Sequence, residues 1–128
     1  MNLLCIDYGT KNIGLAINNG TGVAIPFRVL GNSEKVLEEI KNLCDGEGVE
    51  KIILGKPTKM DRSAGALWQE IKEFAALLKE KTGLPFDFED EIFSSEAVKK
   101  AMAGYKSKYE KDAVEAAIIL QGYLDRQK

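Results

Sequence analysis

Acidic side chains at three distant places in the chain carry the strongest suggestion of chemistry: Asp7, the adjacent pair Asp90 and Glu91, and Asp112. Carboxylates gathered at one point repel one another, and such a cluster is stable mainly when a divalent cation neutralises it. The chain has no histidine, which excludes every mechanism built on a histidine base and leaves carboxylate oxygens as the ligands open to a metal. Asp7 is followed by Tyr8, Gly9, Thr10 and Lys11. The glycine lets a phosphate approach the backbone, Thr10 offers hydroxyl or amide donors, and Lys11 can pair with the phosphate charge. Asp90 and Glu91 point to opposite sides of an extended backbone, so only one readily shares a metal with Asp7. Glu91 is the choice, with Asp90 left to support the metal indirectly or to cap the next helix. On spacing alone, independent surface acids are the commoner reading, and Asp112 is also favourable at a helix N-terminus on dipole grounds.

The elements that would position these acids can be read in order. Asn2 to Asp7 is a short apolar strand, and Tyr8 to Lys11 supplies turn chemistry that folds it back onto a second strand, Asn12 to Asn18. Asn19-Gly20-Thr21-Gly22 is a further turn before Val23 to Val29, whose Pro26 predicts an edge strand. Val36, Leu37, Ile40, Leu43 and Cys44 recur at helical spacing after Asn32 and Ser33, either of which can cap the helix, and Gly46 and Gly48 punctuate its end. Lys51 to Leu54 reads as a buried strand, and Gly55 to Ala64 as a loop in which Asp61 has no special role. Leu67, Ile71, Phe74, Ala75 and Leu78 form one face of a helix closed by Thr82 and Gly83, and Leu84 to Glu89 makes a fifth strand. Ser94 or Ser95 can cap a helix through Met102, and Ala113, Ala116, Ala117, Leu120 and Tyr123 stripe a last one. The order βββαβαβαα calls for one α/β domain over residues 1–128: a five-stranded mixed sheet, three antiparallel then two parallel strands, flanked by helices with right-handed crossovers. Asp7, Glu91 and Asp112 then all lie at element ends, where acids far apart in sequence can converge.

With 45% apolar and 30% charged residues and no apolar run of membrane-spanning length, the 128-residue chain has a soluble globular composition. A carboxylate at the seventh position argues against a secretory leader, so a cytoplasmic protein with no membrane partner is expected. Cys5 and Cys44, in apolar surroundings without CxxC spacing, read as buried thiols. A net charge of −2 argues against coating nucleic acid by bulk charge. From Lys99 to Lys111, however, five lysines, Lys99, Lys106 and Lys108 among them, face one acid, whereas Asp87 to Glu96 holds five acids and no base. Metal ions beside a phosphate backbone in a single-strand groove would suit that arrangement, although charge runs are more often solvated faces. Trp68, beside a helical apolar stripe, reads as packing; Tyr105 and Tyr109 are the candidates for base stacking.

The stretch Ile6-Asp7-Tyr8-Gly9-Thr10-Lys11-Asn12-Ile13-Gly14-Leu15-Ala16 closely resembles the opening motif of the YqgF/RuvX family, in which this hairpin carries the first catalytic aspartate. Ile52-Ile53-Leu54-Gly55-Lys56-Pro57 followed by Met60-Asp61 is similar to that family's second strand and loop. Asp90-Glu91-Ile92-Phe93-Ser94-Ser95-Glu96-Ala97 is similar to its acidic motif, and Lys111-Asp112 with Ala116 to Gln121 and Tyr123-Leu124 to its C-terminal helix. The four motifs stand in the right order and cover nearly the whole chain. The resemblance implies a ribonuclease H-like fold and a nuclease with Asp7, Glu91 and Asp112 as catalytic metal ligands and two Mg²⁺ or Mn²⁺ ions about 4 Å apart. The implied task is maturation of the 5′ end of precursor 16S rRNA by a monomer or weak homodimer, or alternatively resolution of branched DNA, a Holliday junction. Ile92 stands where the family usually has arginine, and Arg62 where it has glycine; Lys56, Lys59 or Arg62 can restore the charge. Two other functions fit parts of the pattern. One is an ATP-dependent module of the actin and Hsp70 type, whose sites close between two domains where this chain supplies one. The other is a non-catalytic nucleic-acid-binding module that kept the fold.

Overall fold

A computed structural model describes residues 1–58, 61–91 and 110–127 of the chain. Three strands open the fold: β1 (Asn2–Asp7), β2 (Asn12–Asn19) and β3 (Ile25–Gly31). They are followed by α1 (Val36–Glu47), β4 (Lys51–Pro57), α2 (Arg62–Thr82), β5 (Phe86–Glu91) and α3 (Lys111–Arg126). The expected helix from Ser94 or Ser95 to Met102 lies outside the described residues. All five strands join one sheet in the order β3-β2-β1-β4-β5. β1 pairs antiparallel with β2 and β2 with β3, while β4 runs parallel to both β1 and β5, which is the mixed sheet expected. Pro26 lies on β3, an edge strand with no ladder on its outer side to lose, and the register shifts between Leu15 and Ala16 opposite it.

Strand alternation separates two cores. Leu4, Ile6, Ile13, Leu15, Ile52 and Leu54 face α1 and α2, whose Val36, Ile40, Ile71, Phe74 and Leu78 complete that layer. Leu3, Cys5, Ala16 and Ile53 point the other way, onto Ala116, Ala117, Ile119, Leu120 and Tyr123 of α3. Small residues meet within this layer, Cys5 and Ala16 on the sheet and Ala116 and Ala117 on α3, and the alanine stripe brings helix and sheet close together. Cys5 and Cys44 are free and buried, as expected; burial raises the Cys5 thiol well above its usual value and Cys44 to about 11, so both stay protonated.

Several boundaries differ from the sequence expectation for local reasons. β4 continues through Gly55 to Pro57 because β5 supplies a parallel partner as far as Glu91, which also moves β5 two residues toward the C-terminus. Asp61 is not an idle loop residue: its carboxylate accepts the Ala64 N–H at 2.8 Å and caps α2. Asn32 does not cap α1. Its amide instead donates to the Gly9 carbonyl at 2.9 Å and its backbone N–H to Lys11 O at 2.8 Å, clamping the hairpin after Asp7. Gly48 (φ 63°) and Gly83 (φ 73°) close α1 and α2 in the left-handed conformation that glycine adopts without strain.

The C-terminal half of α3 is tied down at the far end of the sheet. Lys51 Nζ lies 2.6 Å from Asp87 Oδ2 and donates to the Tyr123 hydroxyl at 3.0 Å, and that hydroxyl donates to Asp87 at 3.2 Å. Arg126 pairs with Glu89, and Gln121 bonds the Ala24 N–H and the Gly22 carbonyl. These contacts set the rotation of α3 over the sheet and therefore which of its acids reach the edge that carries Asp7.

Candidate active site

Counting by twos along each strand locates the acids. Asp7 shares a face of β1 with Leu3 and Cys5, both packed on the α3 side. Glu91 shares a face of β5 with Glu89, which meets α3 through Arg126, so it too turns toward that helix. Asp90 is exposed on the opposite face, beside Phe88 and across the ladder from Lys56; the structure does not bring it to Asp7 and Glu91.

Two glycines make the convergence possible. Gly14 is the β2 partner of Asp7, and a Cβ built on it would lie 2.0 Å from the backbone oxygen of Asp112. Only glycine lets the start of α3 sit this close to the Asp7 ladder pair. Gly55, on the α3 side of β4, leaves the space taken by the Glu91 side chain: a Cβ there would lie 2.6 Å from Glu91 Oε1 and 2.9 Å from Ile119 Cδ1. Thr58 adds a hydroxyl that donates to the Glu91 carbonyl and holds the end of β5.

The acid that α3 delivers to Asp7 is Glu115. Asp7 lies within hydrogen-bonding reach of both Glu91 and Glu115. Burial, then the Glu91 and Glu115 charges, push its carboxyl from 3.8 up to about 9, so Asp7 is held protonated at neutral pH. Glu91 is raised as well, chiefly by burial and against the lowering effect of the Asp7 hydrogen bond. Asp112 is half-buried one turn earlier, its backbone against Gly14. The sequence reading passed over Glu115 because Lys111 stands four residues before it, the pattern of a solvated helical ion pair; that pair does form, at 3.6 Å. The available signal was its spacing: three residues after Asp112 and four before Ile119, the residue that covers Gly55.

Among the described residues no three histidine, cysteine or acidic side chains stand as a ready-made metal cage. The donor set at Asp7 is nonetheless all carboxylate oxygen, the chemistry of Mg²⁺ and Mn²⁺ sites, and its surplus negative charge is at present relieved by a proton. Around it, Gly9, Thr10 and Lys11 form the clamped hairpin turn, with Thr10 and Lys11 exposed. Thr10 also lines a cleft of about 470 Å³ with Asp61, Ser63 and Glu70. Lys56 lies on the α2 face of β4, and Arg62 is exposed at the start of α2. Lys59, Lys99, Lys106 and Lys108, like Tyr105 and Tyr109, lie outside the described residues.

Comparison with known proteins bears on what this edge does. Residues 1–126 match the family RuvX, described as Holliday junction resolvase. The chain belongs to the RuvX family. A relative from Desulfitobacterium hafniense (strain DSM 10664 / DCB-2), named as a pre-16S rRNA nuclease, is 35% identical over 136 residues, covering 100% of this chain and 96% of its own. One from Clostridium botulinum (strain Alaska E43 / Type E3) with the same name is 36% identical, covering 98% of each. Among solved structures, RuvC of T. thermophilus in complex with a Holliday junction substrate superposes with a TM-score of 0.68 over 99% of this chain and 96% of that one, at 14% identity. The fowlpox virus resolvase with Holliday junction DNA gives 0.61 over 99% of each chain, also at 14%. These two establish the fold, which is the ribonuclease H-like architecture that the sequence motifs imply. This RuvX member is thus a nuclease, a hydrolase of phosphodiester bonds acting on nucleic acid.

Proposed function

We propose that this RuvX protein trims the 5′ end of precursor 16S rRNA by divalent-metal-dependent hydrolysis at the edge formed by β1, β5 and α3. The observation that carries the reading is the crowding of the Asp7 carboxylate against Glu91 and Glu115, a cluster that costs stability unless a cation neutralises it. Asp7 and Glu91 hold the metal together with α3, which offers Asp112 and Glu115 one turn apart. When bound, Mg²⁺ or Mn²⁺ would supply positive charge at the phosphate and lower the pKa of a water. Gly55 gives Glu91 its place, Asn32 holds the hairpin turn open for the phosphate, and Lys11 lies exposed where the scissile backbone would pass. The chain has no histidine, so an ionised member of this carboxylate set is the base for the water's proton.

The substrate preference follows the relatives that share over a third of the sequence and the name of a pre-16S rRNA nuclease, rather than the 14%-identical junction resolvases. Trimming one RNA end needs one active site, whereas paired junction cuts favour a two-fold dimer. Among the described residues the large exposed apolar side chains are few: Met1, Val23 and Ile25 at the end of the sheet where β1 starts and β2 turns into β3, and Leu77 on α2. That pattern supports a monomer or weak dimer. The test compares a precursor 16S 5′ fragment with a four-way DNA junction in Mn²⁺ and Mg²⁺, using wild type and Asp7→Asn, with light scattering on the same samples. Shortened RNA, an intact junction and an inactive variant are expected. Symmetric nicking of the junction by a stable dimer that spares the RNA would overturn the assignment.

A further inference from the structure

On the other flank of the same sheet edge, two lysines converge on one aromatic ring. Lys56 Nζ of β4 lies 5.3 Å from the centre of the Trp68 ring, and Lys72 Nζ of α2 lies 5.5 Å from it. Among the described residues neither lysine forms an ion pair, although β5 places the exposed Asp90 across the ladder from Lys56. Trp68 is half-buried and held edge-on by Phe88, with ring centres 4.8 Å apart at 72°, and Phe88 leans in turn on Phe86. The indole is thereby braced from behind by a row of aromatics on the edge strand. Two flexible cationic side chains lie over the ring, and a stacked base could displace them toward its own phosphates.

The opposite flank of α2 has the reverse character. The cleft there is lined by Asp61 and Glu70, Tyr8 donates to Glu70, and the helix N-terminus is already satisfied by Asp61. The cations beside this edge thus lie on the Trp68 side of α2, and the acids on its cleft side. Lys56 is the residue next to Gly55, on which Glu91 rests, so the basic, aromatic flank begins one residue from the catalytic acids.

We propose that Trp68, Lys56 and Lys72 form a stacking platform for a single-stranded stretch of the nucleic acid next to the scissile phosphate. A base stacks on the indole and the two ammonium groups contact the flanking phosphates. Paired bases cannot offer their faces to a side chain in this way, so the platform selects unpaired strands. The inference builds on the nuclease reading above and specifies the form of its substrate.

Trp68 is the chain's one tryptophan, so its emission reports this platform alone. The experiment titrates full-length Asp7→Asn protein, in Mg²⁺, with a short 5′-dye-labelled RNA, as a single strand and annealed to its complement. Tryptophan emission and dye anisotropy are followed together. Single-stranded RNA is expected to quench Trp68 in step with the anisotropy rise, while the duplex leaves emission unchanged. Trp68→Leu should weaken single-strand binding on the order of tenfold, and Trp68→Phe should restore most of it, since a phenyl ring still stacks. Lys56→Ala and Lys72→Ala should each lower affinity several-fold and reduce its salt dependence. Binding by anisotropy with silent emission would overturn the platform while leaving the nuclease reading standing, as would equal quenching by the duplex. Failure of either RNA to bind at all would overturn the RNA reading itself, and the platform with it.

Discussion

Replacing Asp7 with asparagine should make the metal-free protein more stable while destroying its activity. The Asp7 carboxyl titrates at about 9 in the folded protein against 3.8 ordinarily, because burial and the Glu91 and Glu115 charges oppose its ionisation. A carboxyl whose folded value is raised stabilises the fold fully only below the unfolded value. Between pH ~4 and ~9 the folded chain holds a proton that the unfolded chain has lost, and stability falls with rising pH by up to about 1.4 kcal/mol per unit. At pH 7 the integrated penalty has a ceiling of about 4 kcal/mol. Asp7 keeps some contact with solvent at the sheet edge, which brings the expected gain for Asp7→Asn down to roughly 1–3 kcal/mol. For a chain of this size that is about 4–12 °C in Tm. Thermal unfolding of both proteins in EDTA at pH 5 and pH 8 checks this: the variant's advantage should be larger at pH 8. Adding Mn²⁺ should stabilise the wild type by about 2.7 kcal/mol at a hundred times Kd, raising its Tm, and move the variant much less. A variant no more stable than wild type in EDTA at pH 8, or an advantage independent of pH, would refute the crowded-carboxylate argument.

Other perturbations test the supports of the site. Gly55→Ala puts a methyl group into the Glu91 carboxyl and Ile119, so kcat should drop on the order of a hundredfold through misplacement of Glu91 at a stability cost of about 1–3 kcal/mol, measured by cleavage and urea unfolding together. Gly14→Ala sets its methyl against the Asp112 backbone, which cannot swing aside; urea unfolding should show a loss of about 3 kcal/mol or more as α3 is pushed off the sheet. Glu115→Gln should reduce the Mn²⁺-induced Tm shift while leaving the fold intact, and an unchanged shift would remove Glu115 from the metal set. Asp61→Ala removes the α2 cap and should cost about 1 kcal/mol with kcat unaltered, since the cap faces Ala64 and not the carboxylates.

Local chemistry in the sequence was enough to set the elements and much of the edge. Apolar alternation and the Gly9 turn determined β1 and β2, helical spacing determined α1, α2 and α3, and the order of strands and helices dictated the mixed sheet with Asp7 and Glu91 at strand ends. The choice of Glu91 over Asp90 was also legible, because adjacent residues of a strand face opposite ways. What no local signal contained was the rotation of α3. That depends on Lys51, Asp87, Tyr123, Arg126 and Gln121 tying its far end down, and on Gly14 letting its near end touch β2. Nothing local therefore distinguishes Glu115 from half of a solvated pair with Lys111, and the role of Gly55 follows only from Glu91 occupying the space over it. Trp68 packs on the core and on Phe88, as its spacing on α2 predicts, but spacing along one helix says nothing of a lysine arriving from β4. Sequence periodicity specifies faces within an element; which faces meet, and how closely, is decided only when all the elements are packed around shared cores.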